Sequence, residues 1–126
     1  MSREIKFRAW LKDEKVMVDV EQVDFYNNTI AYIFDNYAEV EQEWLDNDIQ
    51  NVELLQYTGI KDTIGNEIYE SYFVEDEHGR TNLVMFKDGL LLIGNWNAHG
   101  FMNAFTEFKV VGNIYENPEL LEVNND

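Results

Sequence analysis

Residues 53–74 read ELLQYTGIKDTIGNEIYESYFV. Glu53–Tyr57 is a short apolar run. Asp62–Asn66 contains Gly65-Asn66, a pair suited to the positive backbone angles of a tight turn. Beyond it, Glu67–Val74 alternates, with Ile68, Tyr72 and Val74 on one face and Tyr69 and Phe73 on the other. Strand, turn and strand is therefore the expected unit. It is repeated downstream, where His78-Gly79, Asp88-Gly89 and His99-Gly100 offer turns around Leu83–Phe86 and Leu90–Ile93. Phe105–Tyr115 closes the series, and Pro118 stops it from continuing as a ladder strand. Short antiparallel strands at this spacing predict a small barrel over 53–126.

Upstream, residues 1–52 form a second β-rich segment. Ile5–Trp10 alternates, with Ile5, Phe7 and Ala9 opposite Lys6 and Arg8. Lys12–Lys15 is a polar turn before Val16, Val18 and Val20. Asp24–Tyr26 and Ile30–Phe34 flank Asn27-Asn28, which predicts a hairpin. Glu39–Val52 is the helix candidate. At 100° per residue, Val40, Trp44, Leu45, Ile49 and Val52 share one side, and Glu39, Glu43, Asp46 and Glu53 share the other. The expected class is thus mainly β (α+β), with one short helix near 39–52. Phe7, Trp10, Tyr57, Ile68, Leu91, Ile93 and Ile114 are the expected core.

Charge narrows the function classes. The 126-residue chain has 25 acidic residues against nine Lys and Arg, for a net charge of -16. The cations Arg3, Lys6, Arg8, Lys12 and Lys15 cluster at the start, and no Lys or Arg occurs from Val16 to Ile60. That stretch carries Asp35, Glu39, Glu43, Asp46 and Glu53 among its carboxylates. Direct nucleic-acid binding needs cations to neutralise phosphates, and this balance argues against it. Lys6 and Arg8 are expected to pair with carboxylates of the chain itself. No apolar run approaches the ~20 residues of a membrane span. The opening Met-Ser-Arg-Glu-Ile-Lys lacks the apolar region of a signal peptide, and there is no cysteine for disulfides or thiolate metal sites. A bacterial cytoplasm is the expected setting.

No catalytic pattern emerges. Gly59 and Gly65 do not form a phosphate-binding loop. Ser2 and Ser71 are the only serines, and neither lies in a nucleophile elbow. The histidines, His78 and His99, sit in expected turns, where a metal site would need both to converge with Asp76 or Glu77. Turn histidines are ordinarily exposed and polar, so neither a metal nor a cofactor is expected. Most of Trp10, Tyr57, Tyr69, Tyr72, Phe73, Trp96 and Tyr115 are more simply core rings than a base-stacking platform.

Three segments stand out together: Arg3–Trp10 (REIKFRAW), Leu55–Glu70 (LQYTGIKDTIGNEIYE) and Val111–Leu121 (VGNIYENPELL). In this order they resemble the YopX family of phage and prophage proteins, across nearly the whole chain. The resemblance implies a β-rich fold whose C-terminal part is an SH3-type barrel. It also implies a phage, prophage or plasmid origin, and it brings no catalytic residues. Where the family usually continues Gly-Asp-Ile-Val after Glu-Ile-Tyr-Glu, this chain has Ser71-Tyr72-Phe73-Val74.

The resulting expectation is a non-enzymatic accessory protein that binds a host protein with a basic surface. Asp35, Glu39, Glu43, Asp46 and Glu53 would make the contact, with Tyr72 and Phe73 as added apolar surface. A nucleic-acid mimic that blocks a host defence or nucleic-acid-handling protein is its sharpest form. Self-association through strand edges as a structural module, giving a homo-oligomer, is the alternative.

Overall fold

Alternating side chains and closely spaced turns give a chain of antiparallel strands. The computed structural model describes residues 4–27, 29–34, 38–43 and 52–123. Two compact units are present, one spanning Ile5–Gln56 and the other built on Tyr57–Asp126.

The N-terminal unit comprises β1 (Phe7–Leu11), β2 (Val16–Asp24), β3 (Thr29–Phe34), β4 (Ala38–Glu43) and the first half of β5 (Val52–Lys61). The strand order is β4-β3-β2-β1-β5, with each neighbouring pair antiparallel. Ala9 lies opposite both Val18 and Leu54, so its small side chain sits at the centre of three strands. Ala9, Leu11, Val18, Ile30, Tyr32 and Val52 form one buried cluster. Each large apolar member contributes about 1.5–3 kcal/mol by leaving water. On β1, Arg8 stands opposite Asp19, and its Nε lies 2.9 Å from the carboxylate. Lys12 is likewise 2.9 Å from Glu53. The expected internal pairing thus holds for Arg8.

The hairpin at Asn27 forms as expected, between β2 and β3. At the two ends of the helix expected over 39–52 the structure has strand instead: Ala38–Glu43 pairs along its length with β3 and Val52 opens β5, while 44–51 lie outside the described residues. Glu39-Val40-Glu41-Gln42-Glu43 fits a period of two as well as it fits a helix. Pairing with β3 decides between them, because strand preference is set largely by neighbours.

The C-terminal unit takes up the second half of β5 and continues through β6 (Glu67–Tyr69), β7 (Tyr72–Asp76), β8 (Thr81–Lys87), β9 (Leu90–Ile93) and β10 (Trp96–Asn97). It ends with α1 (Ala98–Ala104), β11 (Phe108–Asn113) and α2 (Leu120–Val123). β5 pairs with β6, and a five-stranded sheet runs β10-β9-β8-β7-β11. These ladders are open. Thr63 connects the β5–β6 turn to β11, donating from its N–H and its hydroxyl to the Phe108 carbonyl at 3.0 and 2.8 Å. These bonds tie the turn to β11, but the sheets of the described residues stay open where a closed barrel was expected.

Tyr57, Ile68 and Ile93 are buried as expected, whereas Phe7, Trp10, Leu91 and Ile114 are half-buried. The single strand expected over 67–74 is broken at Ser71, whose φ is 70°. Its N–H donates to the Val84 carbonyl at 2.7 Å, and its carbonyl accepts from the Ile114 N–H at 3.0 Å. A serine is thus held in the left-handed region that glycine enters without strain. Helix α1 replaces an expected turn at His99-Gly100. Its cap is Asn97, whose side-chain oxygen accepts from the Gly100 N–H at 2.7 Å.

Candidate partner-binding surface

The buried carboxylates come first, because an acid–base pair would be sought among them. Asp62 and Asp76 are each 5% exposed. Each opens an Asp-x-x-Gly turn: Asp62-Thr63-Ile64-Gly65 and Asp76-Glu77-His78-Gly79. The two turns are nearly superimposable in their bonding. Each Asp N–H donates to the carbonyl four residues on, Asn66 or Arg80, at 2.8 and 2.9 Å, and each glycine N–H returns to the Asp carbonyl at 3.0 Å. One carboxylate oxygen accepts from the N–H groups two and four residues on, Ile64 and Asn66 in one turn, His78 and Arg80 in the other. The second oxygen takes Asn66 Nδ2 and the Val110 N–H in one case, and Asn82 Nδ2 in the other. Gly65 and Gly79 have φ of 93° and 79°, which explains the glycine in both turns.

These bonds set the charge state. Burial raises the pKa of Asp62, but donors from Val110, Asn66 and Ile64 outweigh it and leave the pKa lowered. Asp76 is lowered in the same way: burial opposes, and Arg80, Asn82 and His78 prevail. Glu77 is lowered first by the Thr106 N–H, which donates to it at 2.6 Å. All three are anions committed to holding backbone. Asn113 is the polar equivalent in the last turn, where its side-chain oxygen accepts from Tyr115 and Glu116 N–H.

The histidines go separate ways. His78 packs edge-on to Phe105 at 5.9 Å, and His99 Nε2 lies 3.1 Å from Asn103 Nδ2. Among the described residues, no three His, Cys, Asp or Glu converge as a metal site would require. Nor is any helix among them long and apolar enough to cross a membrane.

The expected partner-binding residues divide. Asp35 and Asp46 lie outside the described residues. Glu39 and Glu43 stay together, joined by Glu41, at alternate positions of β4 opposite Ile33, Thr29 and Ala31 respectively. The core residues Tyr32 and Ile30 pair instead with Val40 and Gln42. The glutamates therefore hold every second position of a strand at the end of the sheet order. Glu53 is separated from them: four strand spacings of ~4.8 Å put it about 19 Å across the sheet, on β5, with Lys12 as its partner.

Tyr72 and Phe73 are not surface residues. They are 6% and 0% exposed, because β7 sits between β8 and β11 and is covered on both faces. Tyr72 continues a ladder of rings, 5.5 Å from Tyr69, which is itself 5.4 Å from Tyr57. The most exposed hydrophobic rings among the described residues are Phe25 and Tyr26, 65% and 93% exposed, at the β2–β3 tip. Asp24 locks this tip by accepting from the Tyr26 and Asn27 N–H groups at 3.0 Å and from Asn27 Nδ2 at 2.8 Å. The Asn27 bonds lower its pKa. Register puts Asp24 opposite Thr29, and Thr29 opposite Glu43, so the aromatic tip and the acidic strand meet at one end of the sheet.

A family model described as YopX protein matches residues 6–122. The chain belongs to the YopX family. The crystal structure of protein EF1440 from Enterococcus faecalis is similar, with a TM-score of 0.70 and 25% identity over 95% of this chain and 99% of that one. No curated protein is similar. In this YopX-family chain, the segments that carry the resemblance hold the Asp62 turn and the Asn113 turn. Gly112 belongs to the second, where a methyl group would overlap the Asn117 side chain that bonds the Asn113 N–H.

Proposed function

We propose that the protein is a non-enzymatic accessory protein of a phage or prophage that binds a basic host protein in the bacterial cytoplasm. The acidic end of its N-terminal unit makes the contact. The observation that carries this reading is strand β4, with glutamates at the alternate positions 39, 41 and 43, joined in register to Asp24 and the exposed Phe25-Tyr26 tip. Carboxylates grouped without a nearby cation in sequence attract a basic surface and accelerate encounter. A locked, exposed aromatic pair supplies the apolar anchor that charge alone lacks. The commitment of Asp62, Asp76 and Glu77 to backbone donors supports a binding role over acid–base catalysis.

Nucleic-acid mimicry is the finer form of the same reading. Alternate strand positions place one charge per ~6.8 Å, against one per ~1.7 Å of DNA axis. A mimic would need the neighbouring carboxylates Asp19, Glu21 and Asp24 as well. The alternative, self-association through sheet edges, is disfavoured at β4, because like charges on paired edge strands repel. The test is affinity capture from host lysate at low and high salt, with Glu39, Glu41 and Glu43 reversed to Lys. Salt-sensitive capture that the reversal abolishes supports the reading, and capture indifferent to both refutes it.

A further inference from the structure

A second surface, in the C-terminal unit, has the opposite character. On β8, Leu83, Met85 and Lys87 alternate on one face. Met85 and Lys87 pair with Leu92 and Leu90 of β9. The other face carries Val84 and Ile93, both 0% exposed and paired with each other, so the core lies there. The Met85 face is open, with Met85 37% and Leu90 58% exposed. Leu83, Met85 and Leu92 of this face line a groove of about 790 Å³ together with Trp96, which is 45% exposed and packs edge-on against Phe105 at 5.7 Å.

Arg80 and Lys87 also line this groove. They stand at the two ends of β8, seven residues apart, or about 23 Å at ~3.3 Å per residue. Arg8, Lys12 and Lys109 each face a carboxylate of the chain. Arg80 and Lys87 make no ion pair among the described residues, although acidic residues outnumber basic ones 25 to nine. Asp76 lines the groove too, but its oxygens are taken by His78, Arg80 and Asn82 donors.

We propose that this groove binds an extended peptide segment of a partner protein, apolar in its middle and carrying a carboxylate toward each end. The strip of Leu83, Met85 and Leu92 takes alternate apolar side chains. Trp96 supplies an aromatic wall, and Arg80 and Lys87 take the carboxylates, fixing register and direction. The length of β8 suits a segment of about seven residues. A polyanionic nucleic acid is a poor occupant, since two cations do not offset the repulsion of a chain with net charge -16. The proposal is independent of the acidic strand β4 and concerns a different unit.

The test is selection of a random-peptide phage library on the full chain, followed by fluorescence polarisation with the enriched peptides. Enriched sequences should carry two acidic residues flanking apolar ones. Lys87→Glu and Arg80→Glu should each weaken binding by about tenfold, and the double variant should abolish it. Both side chains are exposed, so thermal melts should match wild type. Lys in place of the peptide's carboxylates should restore binding to the double variant. No enrichment, enrichment of basic sequences, or affinity unchanged in the variants would overturn the proposal. So would a homodimer, seen by sedimentation velocity, that Lys87→Glu dissolves, because the groove would then belong to a second copy.

Discussion

Replacing Asp62 by Ala tests the claim that the buried carboxylates are structural. The substitution removes the acceptor for the Val110, Asn66 and Ile64 N–H groups, which approach at 2.9, 2.7 and 3.1 Å. Ile64 and Asn66 are exposed, so their donors regain water. Val110 is half-buried on β11, and its stranded donor costs about 1–3 kcal/mol. Loss of the turn lock adds about 1 kcal/mol. The total is about 2–4 kcal/mol. With a urea slope of about 1.5 kcal/mol/M, the midpoint should fall by about 1.3–2.7 M. Acidification has a defined sign. Asp62 is held below its ordinary value of 3.8, so its stabilisation is complete above that pH and is lost as pH falls through the folded pKa. Asp62→Ala should therefore be less acid-sensitive than wild type, besides being less stable at neutral pH. A midpoint within ~0.3 M of wild type, with an unchanged pH profile, would refute the reasoning.

Ser71→Gly should stabilise by about 0.5–1 kcal/mol, because relief of ~1–2 kcal/mol of left-handed strain exceeds the added chain entropy; a lower melting temperature would contradict this. Gly112→Ala should cost about 1–3 kcal/mol by pushing Asn117 off the Asn113 N–H, measurable in the same urea titration. Ile68→Ala, at a fully buried position, should cost about 2–5 kcal/mol, and Ile114→Ala, half-buried, distinctly less; equal losses would show that burial does not govern these sites. Tyr26→Ala should leave the melting temperature unchanged but weaken partner binding about tenfold or more if the tip is an anchor.

The strands were legible wherever one face alternated, as at Phe7–Leu11 and Val16–Val20, because a period of two has no other simple cause. The stretch after Ala38 was not. Glutamates every second residue with Val40 between them satisfy both periods, and only the partner strand β3 decides. The burial of Tyr72 and Phe73 is hidden in the sequence for a related reason. A central strand covered on both faces shows no alternation, so a run of aromatics reads equally as surface or core. The turn carboxylates did leave a signal, the repeated Asp-x-x-Gly at 62–65 and 76–79, which marks a hairpin when read with the positive φ of its glycine. Phe25 and Tyr26 left none: exposure at a hairpin tip depends on where the turn falls, and Asp24 set it one residue earlier than Asn27-Asn28 suggested.

The acidic-contact reading stands or falls on how binding responds to charge. The full chain, immobilised, should capture a basic protein from host lysate at ~50 mM salt and release most of it at ~500 mM, where screening shortens the Debye length to about 4 Å. The variant with Lys at 39, 41 and 43 should fold normally and capture none of it. Equal capture by wild type and variant, at both salt concentrations, would contradict the account.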